Sequence, residues 1–237
     1  MSSAELVDPP AGGRVFERTI RPGIADAGGD GRVRLDAVAR WLQDIAYLDL
    51  LDAGFDQRGV WIVRRARLRI EAWPRFAEEL ELRTFCSGIG RFSAERTTTI
   101  RGGSAAVESV ALWAWLDESG RPRRFPERFV EIYAESAAGR GAPVRLRHPD
   151  PPPAAAGASF AFRATDIDVA GHVNNSHYWA PLEEELAEGD PGPLQAEIEY
   201  RDAGGRGEHS VIRDGDRRWI AASDGRVLAS ILLAQRD

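Results

Sequence analysis

One order of elements occurs twice in this chain, on either side of a proline-rich joint, and that duplication restricts the fold more than any other feature. Near residues 136–158 the sequence runs Ser-Ala-Ala-Gly-Arg-Gly-Ala-Pro and later Pro151-Pro152-Pro153-Ala-Ala-Ala-Gly. It has little hydrophobic periodicity and reads as an extended connection with a stiff polyproline part. Ahead of it comes a strand over 14–20, then a helix in which Leu35, Val38, Leu42, Ile45, Leu48 and Leu51 recur at threes and fours. Asp36 is the expected N-cap and Gly54 the expected stop. Strand-like runs follow over 60–70, 80–86, 92–101 and 106–116, separated by turn residues. Behind the joint the plan repeats in shorter form: a strand over 159–163, a helical segment, then runs over 194–201, 208–213, 217–223 and 227–234. Asp214-Gly215-Asp216 and Asp224-Gly225 are hairpin signals. The expected class is α+β, an antiparallel sheet wrapped around one long helix, twice in tandem. The units are 14–135 and 158–237, with 136–157 as the linker.

The second helical segment carries Tyr178, Leu182 and Leu186 on one face, with Asn174 or Asn175 as its cap. Pro181 interrupts it, so it either kinks there or restarts with Pro181 in a first turn, where Glu183, Glu184 and Glu185 suit the helix dipole.

Composition narrows the function classes. A net charge of −6 argues against a nucleic-acid binder, which needs a basic face, and that all 31 basic residues are arginine reads as a GC-rich coding background. Arg64, Arg65, Arg67 and Arg69 are the candidate positive patch, able to attract an acidic partner. Cys86, the single cysteine, excludes a disulfide framework and reads as a half-buried strand residue. No uninterrupted apolar stretch approaches the ~20 residues of a membrane helix, and the N-terminus lacks the pattern of a secretion signal, so a soluble cytoplasmic protein without membrane contact is expected.

The densest chemistry lies in residues 163–178, Arg-Ala-Thr-Asp-Ile-Asp-Val-Ala-Gly-His-Val-Asn-Asn-Ser-His-Tyr. Two acids, two histidines, two asparagines and a tyrosine crowd one short turn. Read by residue type, Asp166 and Asp168 are turn acids or proton-transfer groups, and the asparagines are caps or carbonyl donors. His177 and Tyr178 read as packing residues. His148 and His209 have no partner legible in the sequence.

Asp166-Ile-Asp168-Val-Ala-Gly171-His172-Val-Asn174-Asn175-Ser-His-Tyr178 resembles the signature of hot-dog-fold thioesterases, above all the acyl-ACP thioesterases of plants and bacteria. Arg40-Trp41-Leu42-Gln43-Asp44, Trp61-Ile-Val-Arg64-Arg65 and Trp113-Ala-Trp115-Leu-Asp117 resemble that family's N-terminal repeat, so the likeness runs from about residue 14 to the end. The resemblance implies a double hot-dog and hydrolysis of a fatty acyl thioester. It implies no metal and no organic cofactor. The partner is acyl carrier protein or, alternatively, a CoA thioester, and the chain acts as a monomer or homodimer. It assigns Asp168 as general base or nucleophile and His172 as its assistant. Amides around Val173 and Asn174 are the oxyanion donors. Asn174 and Asp202 complete the catalytic set, with Trp41, Gln43, Trp61 and Val173 against the substrate. Two positions depart from the family pattern. Ala170 stands where an asparagine is usual, and Ala203 stands where a glutamate is usual, with Asp202 one residue away. A non-catalytic acyl-thioester binder on the same fold is therefore the alternative.

Overall fold

The structure is a computed structural model that describes residues 6–55, 59–153, 155–187 and 189–234. Its first part contains β1 (Val15–Ile20), α1 (Leu35–Asp52), β2 (Val60–Ala72), β3 (Leu80–Ile89), β4 (Ser93–Gly102), β5 (Ala105–Leu116) and α2 (Glu127–Ala137). The second contains β6 (Gly157–Phe162), a 3-10 turn (Asn175–Trp179), α3 (Ala180–Leu186), β7 (Leu194–Tyr200), β8 (Gly207–Asp214), β9 (Arg217–Ala222) and β10 (Val227–Leu233).

All ten strands join one antiparallel sheet in the order β1-β3-β4-β5-β2-β7-β10-β9-β8-β6. Counted outward from the β2–β7 seam, the two halves have the same strand order. The seam is a ladder from Arg65 opposite Glu199 to Ile70 opposite Leu194. Strands alternate, with Val63, Leu68 and Ile70 of β2 and Ala196 and Ile198 of β7 facing the helices in one buried cluster. Both helical segments therefore lie on one face of one sheet.

The chain forms α1 where the periodicity places it, and Gly54 ends it at φ +62°. Two expectations for this helix need correction. Its buried side runs through Leu35, Val38, Trp41, Ile45 and Asp49, while Leu51 is 55% exposed, because sheet and α2 together rotate the covered face. Its N-cap is Arg34, with no side-chain cap of its own, rather than Asp36. The Leu35 N–H instead donates to Glu183 Oε2 at 2.8 Å, a cap delivered by the other half of the chain.

The second helical segment is a 3-10 turn followed by the seven-residue α3, with proline in its first turn. Pro181 thus restarts a helix and does not kink one, and the covered segment is shorter than a long helix. α2 has no counterpart in the sequence reading. It packs Phe129 and Tyr133 into a second buried cluster with Phe55, Cys86 and Trp115. The following segment lies on the sheet, where Ile89 N–H donates to Arg140 O at 2.8 Å. Further along, Glu199, fully buried, accepts the amides of Arg147 (2.6 Å) and His148 (2.9 Å).

Candidate active site

Asp168 sits on a turn that three backbone hydrogen bonds close. Ile167 and Val173 form an isolated antiparallel bridge. Asp168 N–H donates to His172 O (2.9 Å), Gly171 N–H to Asp168 O (3.0 Å), and Asn174 N–H to Asp166 O (2.8 Å). Gly171 is at φ +78°, a conformation that a residue with a Cβ adopts only under strain. Asp166, only 4% exposed, fixes the entry by accepting the Arg163 amide at 2.7 Å and its guanidinium at 3.0 Å. Burial works against this carboxylate, but the Arg163 bonds and the nearby His177 outweigh it and hold Asp166 below the usual carboxylate range.

The Asp168 carboxylate is oriented on both oxygens. Oδ1 accepts the Ala170 amide at 2.9 Å and Oδ2 accepts Asn174 Nδ2 at 3.1 Å. Asn174 has no freedom to flip, because its Oδ1 takes the Ser176 amide (3.0 Å) and hydroxyl (2.8 Å). Its amino group therefore points at Asp168. This makes Asn174 both the cap of the 3-10 turn and the positioner of the acid.

Asp168, Ala170 and Asn175 form the lip of a cavity of about 470 Å³. Gln43, Tyr47 and Leu50 of α1 form one wall, and Trp61, Cys86, Trp113 and Phe129 form another. Trp61 stacks on Phe125 and tilts against Trp115 and Phe129, so this wall is a rigid aromatic layer. Cys86 is fully buried, not half-buried, and burial pushes its thiol up to about 11. Asp44, on the same rim, is pushed up from the ordinary carboxylate range by desolvation, against Arg40 and Arg18. Under the wall, fully buried Asp49 accepts Arg14 (2.6 Å), Arg96 (2.6 Å) and the Tyr133 hydroxyl (3.0 Å). That network pins α1 to β4 and α2, and Asp49 at helical spacing from Ile45 was its only trace in the sequence.

The structure distributes the remaining expected site residues unevenly. Gln43 and Trp61 line the cavity. Trp41 is 8% exposed in the core and borders a separate depression with Ile20 and Leu82, away from the lip. His172 is exposed on the acid's own turn. Asp202 lies outside the cavity lining and is exposed. Its hydrogen bond from the Arg226 guanidinium, joined by the Ala203 amide, holds it below the ordinary carboxylate range. Oxyanion binding by the Val173 and Asn174 amides needs correction, since Val173 N–H is already given to Gly204 O (2.9 Å) and Asn174 N–H to Asp166 O. In the turn that follows, the Ser176 amide goes to Asn174 Oδ1 and the His177 amide to Asn174 O. The Asn175 amide, first in the turn, has no acceptor within it.

Three further readings change. Arg65, Arg67 and Arg69 are not an open patch, because on the outer face of β2 they meet Glu95 (3.3 Å), Glu197 (3.1 Å) and Glu71 (2.5 Å). His148 has partners after all, Ser230 Oγ at 2.9 Å and Glu197 at 3.4 Å, and His209 contacts Gly207 O and the edge of Phe162. His148, Glu197 and Glu199 form the one described group with metal-ligand spacing. Its carboxylates are already engaged by Arg67 and by the Arg147 and His148 amides.

A second copy of the turn reveals what is special about the first. In the N-terminal half Ala27 and Val33 make the same bridge, Gly28 N–H donates to Arg32 O (2.9 Å), and Arg34 N–H donates to Asp26 O (2.8 Å). Gly31, at φ +77°, matches Gly171. Position for position, Gly28 stands in place of Asp168, Arg32 in place of His172 and Glu183 in place of Gln43. Both copies reach across to the other half. Glu183 holds the Leu35 amide at 2.8 Å, and Gln43 Oε1 accepts Asn175 Nδ2 at 3.4 Å. The backbone was duplicated, and only the second copy holds an acid over the cavity.

The tandem antiparallel sheet with its helical segments on one face has the double hot-dog architecture, and its acid-bearing turn stands at the cavity. The N-terminal-domain model of the acyl-ACP thioesterases matches residues 13–133 and the C-terminal-domain model matches residues 152–211. The chain belongs to the acyl-ACP thioesterase family. Its structure is similar to an acyl-ACP thioesterase from Bacteroides thetaiotaomicron, with TM-score 0.76 and 16% identity over 92% of this chain and 96% of that one. It is similar also to the 12:0-ACP thioesterase from Umbellularia californica, with TM-score 0.72 and 17% identity over 94% and 97% of the two chains. In sequence it is 25% identical over 213 residues to an uncharacterized protein of Mycobacterium tuberculosis, covering 88% of this chain and 85% of the relative. No described helix is long and apolar enough to cross a membrane.

Proposed function

We propose that this protein hydrolyses fatty acyl thioesters, acyl-ACP foremost, with Asp168 as general base. The observation that carries the reading is the placement of an oriented carboxylate at the lip of an apolar cavity, on a turn whose twin has glycine there. The acyl chain enters between α1 and the aromatic wall, which brings the thioester carbonyl to the lip. Asp168 takes a proton from water as the water oxygen bonds to the carbonyl carbon. Two hydrogen bonds, one to each oxygen, fix the carboxylate on the turn and leave it oriented to take a proton from a water at the lip. The developing oxyanion is held by the Asn175 backbone amide, by the Gln43 amino group and by the second N–H of Asn175 Nδ2, whose first N–H goes to Gln43 Oε1. Collapse breaks the carbon–sulfur bond and releases the acid. His172, exposed beside Asp168, delivers a proton to the thiolate of the carrier, and the proton that Asp168 took from water passes through solvent to restore both groups. Every step uses water and protein groups. The lip keeps its orienting amides although Ala170 and Ala203 differ from the family pattern, which supports an enzyme over a non-catalytic binder.

Release of free thiol from acyl-ACP and acyl-CoA of several chain lengths tests the reading. Asp168→Asn keeps the size of the side chain but puts an amino group where one accepting oxygen stood, so it loses the base and one of the two orienting hydrogen bonds, and should lower kcat by at least about 100-fold, within the range of general-base catalysis. A kcat within threefold of wild type would remove Asp168 from the mechanism, and stoichiometric acyl binding without turnover would make the protein a binder.

A further inference from the structure

At the end of β2 nearest the active site stands a cation without an acid. The register of β2 against β5 shifts between Val63 and Arg65, which makes Arg64 the extra residue of a β-bulge. A bulge turns its side chain out of the strand's alternation. Arg65, Arg67 and Arg69 remain in alternation and each meets a carboxylate. Arg64 forms no ion pair among the described residues, and its Nη1 donates only to the Arg201 carbonyl, at 3.3 Å. The two acids whose field reaches it, Glu199 and Asp202, are engaged elsewhere. Glu199 holds the amides of Arg147 and His148, and Asp202 holds Arg226 and the Ala203 amide. Burial pulls the Arg64 guanidinium below its usual range, against the fields of Glu199 and Asp202. A half-buried cation without a counter-charge costs free energy that an anionic ligand would return.

The surroundings tie this cation to the catalytic turn. Arg201 begins the glycine-rich segment 201–206, Arg-Asp-Ala-Gly-Gly-Arg, and the Gly204 carbonyl in it receives the Val173 amide at 2.9 Å. Nothing lies within 4 Å of where a Cβ on Gly205 would be, so a ligand can approach that backbone closely. Arg206 is exposed next to it.

We propose that Arg64, together with the segment 201–206, binds the phosphate at the carrier end of a pantetheine thioester. The proposal rests on the thioesterase reading. With the thioester at Asp168, the pantetheine arm leaves the cavity past this segment, and in carrier protein and CoA alike the arm ends on a phosphate. The free nitrogens of Arg64 offer that group a charge-assisted fork.

Wild type and Arg64→Gln are compared on three thioesters of one acyl chain: acyl-ACP, acyl-CoA and acyl-N-acetylcysteamine, which lacks the phosphate. Loss of a charged hydrogen bond should raise KM about 10- to 100-fold for a phosphate-bearing substrate. KM for the truncated substrate and kcat for all three should stay unchanged, and Arg64→Lys should recover part of the loss. A rise confined to acyl-ACP or to acyl-CoA supports the proposal and names the source of the phosphate. Equal changes on all three substrates, or no change on any, overturn it. Calorimetric binding of 4′-phosphopantetheine gives a readout independent of turnover. Weaker binding to Arg64→Gln supports the site even if hydrolysis fails. Absent binding, or binding unaffected by the substitution, overturns it.

Discussion

Glu183 should be among the most expensive side chains to truncate, although it lies in the half of the chain opposite the helix it serves. It is 8% exposed, and its partner Arg32 is 5% exposed. Glu183 Oε1 accepts Arg32 Nη2 at 2.6 Å, and Oε2 accepts Arg32 Nη1 at 3.3 Å and the Leu35 amide at 2.8 Å. In Glu183→Ala the guanidinium keeps the Trp73 ring at 4.6 Å, the distant Asp30 carboxylate at 3.8 Å and a weak contact to Val33 O at 3.5 Å. Breaking a buried pair by removing one partner costs roughly 3–5 kcal/mol. Losing a helix N-cap adds about 1 kcal/mol. The ring and Asp30 return part of this, so a net loss of about 4 kcal/mol is expected. Urea unfolding should show a lower midpoint at constant slope, because m follows the area exposed on unfolding. Arg32→Met with Glu183→Leu removes both charges and should recover all but about 1–2 kcal/mol, since a well-packed apolar pair replaces a buried ion pair at little cost. A single-mutant loss below about 1 kcal/mol, or a double mutant no more stable than Glu183→Ala, would refute the argument that the stranded charge sets the cost.

Two further outcomes follow from the site. Gln43→Ala removes the acceptor of Asn175 Nδ2 and should lower kcat about 10-fold while leaving the unfolding midpoint within about 0.5 kcal/mol of wild type, as steady-state kinetics and urea titration would show; an unchanged kcat would take Gln43 out of oxyanion binding. Asp166 is held below the ordinary carboxylate range, so its contribution to stability is present above the unfolded carboxylate value near ~4 and is lost as pH falls through the lower folded value. Asp166→Asn should therefore cost about 1–2 kcal/mol at pH 7 and progressively less on acidification below about pH 4; a pH-independent difference in unfolding free energy would count against the ionised state as the source.

The fold was legible in the sequence wherever one local rule decided it. The strands and the stop at Gly54 follow from alternation and from a glycine at the helix end, whereas the missing N–H of Pro181 allowed a kink or a restart and the structure takes the restart. α2 was illegible because its apolar residues, Phe129 and Tyr133, are few, and a cluster contributed by distant strands covers them. The covered face of α1 was misjudged because Asp49 looks like a solvent residue until Arg14, Arg96 and Tyr133 are brought to it.

For the site, the sequence by itself determined the turn, its acid and its cap. Asp168, Gly171 and Asn174 interact within seven residues, and local spacing fixes those bonds. Only the tertiary structure decided which neighbours serve that acid. It brought Gln43 to Asn175 across the two halves, left Asp202 with Arg226, and spent the Val173 amide on Gly204. It also paired three arginines of β2 and left Arg64, at a bulge, without an ion pair among the described residues. The physical reason is that short-range bonds depend on spacing along the chain, whereas the pairing of charges and amides depends on the sheet register, which the two halves settle only when they meet at the β2–β7 seam.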